Sequence, residues 1–187
     1  LPANLAVMVH PDYEYVRVKV GNEIWIIAKA MATAFIQGVL EKDFEVHEEV
    51  KGMDLEGLKY EHPLIDEVPI QAEFDQMYKK AHTIVLNSEY VTLEQGTGLV
   101  HCAPGHGPED FAVGKQNDLP PFSPVEFAQF TSEAGKYAGM FPKKADEIIL
   151  KDLEQKGMRV YKETIEHEYA HCWRCKSPLL FLPTDQR

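Results

Sequence analysis

Cationic side chains are scarce in this chain, and so are cysteines and long apolar runs. Nineteen lysines and arginines face thirty aspartates and glutamates over 187 residues, a formal charge of −11 at neutral pH. Gripping nucleic acid by phosphate neutralisation needs a basic face, so this balance argues against strong independent binding. Delivery of a nucleic-acid end into a pocket by another part of a longer protein stays open. The three cysteines, two of them within Cys172-Trp173-Arg174-Cys175, do not make a secreted disulfide framework. A reduced intracellular compartment follows more simply. The most apolar stretch, IWIIAKAMATAF, is broken by Lys29 and falls short of a membrane span. There is no Gly-x-Ser-x-Gly elbow, no phosphate-cradling loop ending in Gly-Lys-Ser/Thr and no dinucleotide fingerprint, which sets those chemistries aside. No signal peptide is seen, the first residue is Leu1 and the last residues, FLPTDQR, carry no terminator-like tail. The expectation is a segment of a longer, cytoplasmic protein.

What is present is an ordinary globular composition, 44% apolar, with enough length to bury one core. The first thirty residues alternate as strands do. Leu5, Val7 and Val9 share a face; Val16, Val18 and Val20 oppose Arg17 and Lys19; Gly21-Asn22 makes a tight turn into EIWIIA. From Lys29 to Leu40 the rhythm becomes helical, with Met31, Ala34, Phe35 and Val39 inward. DFEVHEEV, HTIVLN, YVTLE and LVHC read as further short strands, and residues 51–71 as turns and loop. A helix is expected from Pro108, stopping before Leu119-Pro120-Pro121, and another from Lys144 to Gly157 with Ile148, Ile149 and Leu153 inward. Many short strands with few helices predict a β-rich mixed α/β fold, a closed or nearly closed β-barrel decorated by helices.

The stretch GTGLVHCAPGHGPEDF, residues 96–111, suits neither strand nor helix throughout. Gly96 and Gly98 around Thr97 permit positive φ, which serves a turn or a ligand's close approach equally. His101 lies on an apolar strand and His106 in a glycine-bracketed loop. Pro104 and Gly105 keep the two histidines off one helical face, unlike a zinc-binding His pair. Cys102 points away from His101 and reads as core. Glu109 and Asp110 fall in the first turn of the expected helix, where carboxylates satisfy orphan N–H groups and the helix dipole. A carboxylate so held stays ionised and aimed, suited to grip an ammonium and poorly suited to act as a base. Capping alone and ligand binding both stand at this point, as does a metal site built from His101, His106 and Asp110.

Three stretches together are specific. LPANLAVMVHPDYEYV, GTGLVHCAPGHGPEDF and HCWRCKSPLLF resemble, in order, the editing insertion (connective peptide 1) of the isoleucyl-tRNA synthetases and the strand returning to their catalytic core. The central motif is shared with the valyl and leucyl enzymes, which remain the alternative. The resemblance implies a β-barrel domain over residues 1–168, and a return strand or stalk over 169–187. The implied activity is hydrolysis of the ester in tRNA mischarged with valine. These synthetases are themselves the standard illustration of double-sieve editing, in which one methylene is too small a difference for binding alone to discriminate. Asp110 then matches the residue holding the α-ammonium, and His101 matches a histidine lining the amino-acid pocket. Asn4, Gly96, Thr97, Gly98 and His106 become substrate-binding candidates. Positioning and an oriented water suffice, with no resident cofactor. The threonine-rich run that precedes Leu-Pro-Ala-Asn in that family lies outside this sequence, so the expectation is an incomplete pocket with weak hydrolysis in isolation.

In the same resemblance, Cys172 and Cys175 are half of a zinc site whose second Cys pair lies elsewhere in a full synthetase, so zinc is expected only when that pair is present. The implied partners are the 3′ end of aminoacylated tRNA and the rest of the synthetase polypeptide, with no membrane. A metal-dependent hydrolase and a purely structural insertion are the competing readings.

Overall fold

A computed structural model describes residues 1–94, 96–164, 170–174, 176, 178 and 179. Two three-stranded sheets and a small hairpin carry the fold. In the first sheet, β1 (Ala6–Val9) lies between β5 (Thr83–Leu86), which runs parallel to it, and the antiparallel β6 (Leu99–Cys102). Both faces of β1 are covered. Leu5, Ala6 and Met8 join Phe74, Val113 and Phe122 in one cluster, while Val9 joins Tyr15, Ala28 and Leu55 in another. A strand covered on both sides does not alternate, which is why Ala6 and Met8 are as buried as Leu5 and Val9.

The second sheet is the ordinary kind. Its central strand β2 (Glu14–Val20) pairs antiparallel with β3 (Glu23–Ala28) through the two-residue Gly21-Asn22 turn, and with β4 (Glu45–Lys51) on its other edge. Val16, Val18 and Val20 pack inward against Ala32 and Ile36, as their alternation predicts.

No sheet closes among the described residues, so the expected barrel is not what forms. The two sheets meet through single contacts instead of a ladder. Ala28 N–H donates to Thr97 O at 2.9 Å, and the Tyr15 hydroxyl to Gly98 O at 2.7 Å. Barrel closure needs continuous staggered pairing around the ring, and isolated bridges do not provide it.

Three local expectations also change. The helix from Lys29 is α-helical only over α1 (Lys29–Ala32); Thr33–Val39 is a π-helix, with Leu40 N–H reaching back five residues to Phe35 O. The wider turn rotates the buried stripe to Ala32 and Ile36, leaving Ala34 and Val39 exposed. YVTLE is not a strand: Asn87 Oδ1 accepts from the N–H groups of Glu89 and Tyr90, turning the chain just after β5. Residues 51–71, read as loop, end in an unanticipated helix, α2 (Ile70–Met77), which buries Gln71 and Phe74.

The remaining elements cap one end of the first sheet. Helix α3 (Pro108–Gln116) starts with its proline as expected. A hairpin of β7 (Val125–Glu126) and β8 (Gln129–Phe130) packs with α4 (Pro142–Gln155) around Leu64, Val68 and Tyr137. Gly157 beyond α4 takes φ +69°, the left-handed conformation that ends helices. The boundary expected at 168/169, Cys175 and most of the return segment lie outside the described residues.

Candidate functional site

The loop after β6 is shaped by a glycine with no room for a side chain. A Cβ on Gly105 would sit 2.1 Å from Phe122 O, so only glycine lets the loop approach the backbone of residues 122 and 123 this closely. His106 N–H then closes on Ala103 O at 2.9 Å. Glycine is required again at Gly98, where φ is +76° and a Cβ would meet that of Ala28 at 2.4 Å. There Gly98 and Thr97 give their carbonyls to the second sheet, so Gly96, Thr97 and Gly98 form the junction between sheets.

A hollow of about 200 Å³ opens beside this loop. Its wall is largely apolar, from Pro2, Ala3, Ala103, Val125, Phe130 and Ile149, and its polar lining comes from His101, His106 and Asp146. That volume lies below the roughly 300–1,000 Å³ of sites for drug-sized ligands and suits a small group. His101 and His106 are thus brought together. Asn4, Asp110 and the Gly96–Gly98 stretch are not on this wall.

Asn4 lies directly behind it, buried. Its amide nitrogen is 2.8 Å from both Ala6 O and His101 Nδ1, and its oxygen accepts from the Tyr60 hydroxyl at 2.5 Å. Asp110 stands behind Ala103, at the third position of α3, and its Oδ2 accepts the Ala103 N–H at 2.8 Å. Its Oδ1 has no partner among the described residues. The helix's own first-turn N–H groups were expected to hold its proton affinity low, but the N–H it accepts comes from Ala103, before the helix. Burial, aided by the charge of Glu109, outweighs that contact and raises its pKa.

The His101 ring keeps accessible surface toward the hollow while protein surrounds it elsewhere. That crowding is the largest of the causes that push its pKa down to about 4. Cys102 on the opposite face is buried, and its thiol is pushed up to about 12, first by burial and then by Asp110. It is core, as its strand position implies. No group of three histidine, cysteine or acidic side chains able to hold a metal ion occurs among the described residues. His101 Nδ1 and Asp110 Oδ2 are already engaged by N–H groups, which weakens the metal-hydrolase reading.

Below the hollow, side chains from residues 60–82 hold the first turn of chain. His62 Nε2 faces Leu1 O at 3.3 Å, and Gln71 Nε2 donates to Pro2 O at 2.6 Å. Gln71 Oε1 meets His82 Nε2 at 2.9 Å, while His82 Nδ1 faces Asp75 at 3.2 Å. Sequence reading missed Tyr60, which no local pattern marks. It also missed Asp146, although Pro142, Asp146 and Ile149 share one face of α4 at helical spacing.

No protein-family model matches the chain. A crystal structure described as that of GlLeuRS-CP1 shares its fold, with a TM-score of 0.62 at 16% identity, covering 88% of this chain and 80% of that one. The chain is therefore a mixed α/β fold similar to that of GlLeuRS-CP1. The isoleucine–tRNA ligase of Pyrococcus horikoshii is 53% identical over 190 residues, and that of Methanothermobacter thermautotrophicus 49% identical over 187. Each match covers 100% of this chain, and 18% and 17% of those proteins respectively. The chain belongs with the isoleucine–tRNA ligases, as a segment spanning less than a fifth of their length. Among the described residues no helix is long and apolar enough to cross a membrane.

Proposed function

We propose that this segment hydrolyses the ester of tRNA for isoleucine that carries valine, the second sieve of its ligase. What supports the reading is the coincidence of a match over the whole of this chain to a segment of these ligases with a small, mainly apolar hollow lined in part by His101. The hollow receives the aliphatic side chain, and the sieve requires it to admit valine and refuse isoleucine. One methylene is worth about 1–3 kcal/mol in such a pocket. Asp110, with Oδ1 unengaged, receives the α-ammonium, and water attacks the ester carbon. The water–carbon bond forms, the ester C–O bond breaks, and valine and the 3′ hydroxyl of the tRNA leave. The tRNA end reaches the hollow on the rest of the synthetase, consistent with the acidic charge of this segment.

The test uses the full-length ligase carrying this segment and compares deacylation of tRNA bearing valine or isoleucine. Asp110→Ala is expected to slow valine release roughly 10–100-fold, the scale of a lost hydrogen bond to a charged group. Asp146 lines the hollow directly, whereas Asp110 stands behind Ala103. A loss confined to Asp146→Ala transfers the ammonium contact to that residue. Equal release of valine and isoleucine by the unaltered enzyme overturns the sieve.

A further inference from the structure

We infer that Tyr60 is a positioning residue that, through the Asn4 amide, locks His101 as a neutral imidazole with its proton on Nε2. The inference rests on the editing reading for its catalytic meaning, but the lock itself is a matter of hydrogen-bond polarity. An asparagine amide has two ends, one that only donates and one that only accepts. Here the end facing Ala6 O at 2.8 Å and Cys102 O at 3.4 Å meets two carbonyls, which only accept. That end is therefore the NH2 group, an assignment the two carbonyl acceptors fix by themselves. The opposite end is then the carbonyl, and it takes the Tyr60 hydroxyl proton.

With the amide fixed this way, the second N–H of Asn4 points at His101 Nδ1, 2.8 Å away. Nδ1 must accept, so it carries no proton, and a neutral ring carries its proton on Nε2. Protonating Nδ1 would set N–H against N–H. The amide could relieve this only by turning over, which would place its oxygen against Ala6 O and its NH2 against Tyr60. The depressed proton affinity of His101 agrees with this arrangement.

The consequence is chemical. Nδ1 is occupied and Nε2 has no partner among the described residues, so His101 offers the hollow a fixed N–H donor and no basic lone pair. It cannot take a proton from the attacking water. It can hydrogen-bond an acceptor oxygen, and the ester carbonyl, whose negative charge grows as water adds, is the one the reaction supplies. Other titratable groups near the ring are His106 and Asp146 on the hollow, and His62. None of these reverses the polarity set by Asn4.

Histidine-selective nitrogen NMR of this chain reads the tautomer directly. The expected spectrum shows His101 neutral near pH 7 with the proton on Nε2; a proton on Nδ1, or a mixture of tautomers, overturns the lock. Tyr60→Phe removes one hydroxyl and frees the amide to turn. The His101 titration midpoint should then rise by about one pH unit, the size of one hydrogen bond, and a second tautomer should appear. In the full-length ligase the same variant should lower kcat for valine release about tenfold with KM little changed. The acidic limb of its rate profile should move up with the midpoint. An unchanged tautomer and midpoint in Tyr60→Phe would remove Tyr60 from the role. The spectroscopic result stands whether or not the segment edits, so failure of the lock and failure of the editing reading are told apart.

Discussion

The two three-stranded sheets are built on opposite principles, and the candidate site sits on only one of them. In the β3–β2–β4 sheet one face of the central strand is apolar and the other carries Arg17 and Lys19, while edge strand β4 is exposed almost along its length. In the β5–β1–β6 sheet the central strand is covered on both sides. Around it the chain buries polar side chains: Asn4, His62, Gln71, His82 and Thr83. Buried polar groups are tolerated only when partnered, so each must find a specific acceptor or donor. That demand lets the first sheet hold His101 in one orientation, and among the described residues the second sheet has no comparable set of buried polar side chains. The difference shows which region carries specificity and which carries alternation alone.

The sharpest test of this contrast is packing. Leu5→Ala removes a fully buried side chain where the first sheet meets α2 and α3, and should cost about 3 kcal/mol in urea unfolding. Val46→Ala in β4, where the side chain is 49% exposed, should change stability by no more than about 0.5 kcal/mol. Similar costs at the two positions would break the comparison.

The same contrast explains what could be read from residue order. Period-two alternation marks a strand with one wet face, so Val16, Val18, Val20 and the Gly21-Asn22 turn were legible at once. Proline and carboxylates at a helix start marked α3, and apolar spacing marked α4. Alternation says little about β1, which is wet on neither side, and nothing about whether sheet edges meet. Closure into a barrel was therefore read from the number of short strands and from family resemblance, and it does not form among the described residues. The π-turn at Thr33–Val39 escaped because a five-residue hydrogen-bond spacing leaves no signature in apolar periodicity. The site divided similarly. His101 on its strand and His106 in the loop after it stood out within a glycine-rich stretch, whereas Tyr60 acts through Asn4, 56 positions away in sequence.

Acid separates the regions next. His62 is buried, donates toward Leu1 O and accepts the Leu64 N–H, and its pKa falls to about 3, first by burial and then by the neighbouring His82. In the unfolded chain it titrates near 6.5. Between these values the unfolded state binds the extra proton, so stability is full above pH 6.5 and falls as pH drops toward 3. His62 alone should remove roughly 2 kcal/mol by about pH 5. His62→Gln should flatten urea midpoints over that window. An unchanged slope would move the acid-sensitive groups away from the first sheet.

The smallest effect is expected at the rim of the second sheet. Arg17 and Glu48 face each other across β2 and β4 at 3.0 Å, with side chains 40% and 53% exposed. At that exposure water screens the attraction, and holding two long side chains in register offsets much of what remains. Glu48→Gln should therefore shift stability by no more than about 0.5 kcal/mol, and added salt should erase even that. A loss of several kcal/mol would mean that β4 is not a freely solvated edge and that Glu48 faces a charge less screened than Arg17. The second sheet would then need a polar network of its own, and the division of labour between the sheets would fail at its least protected strand.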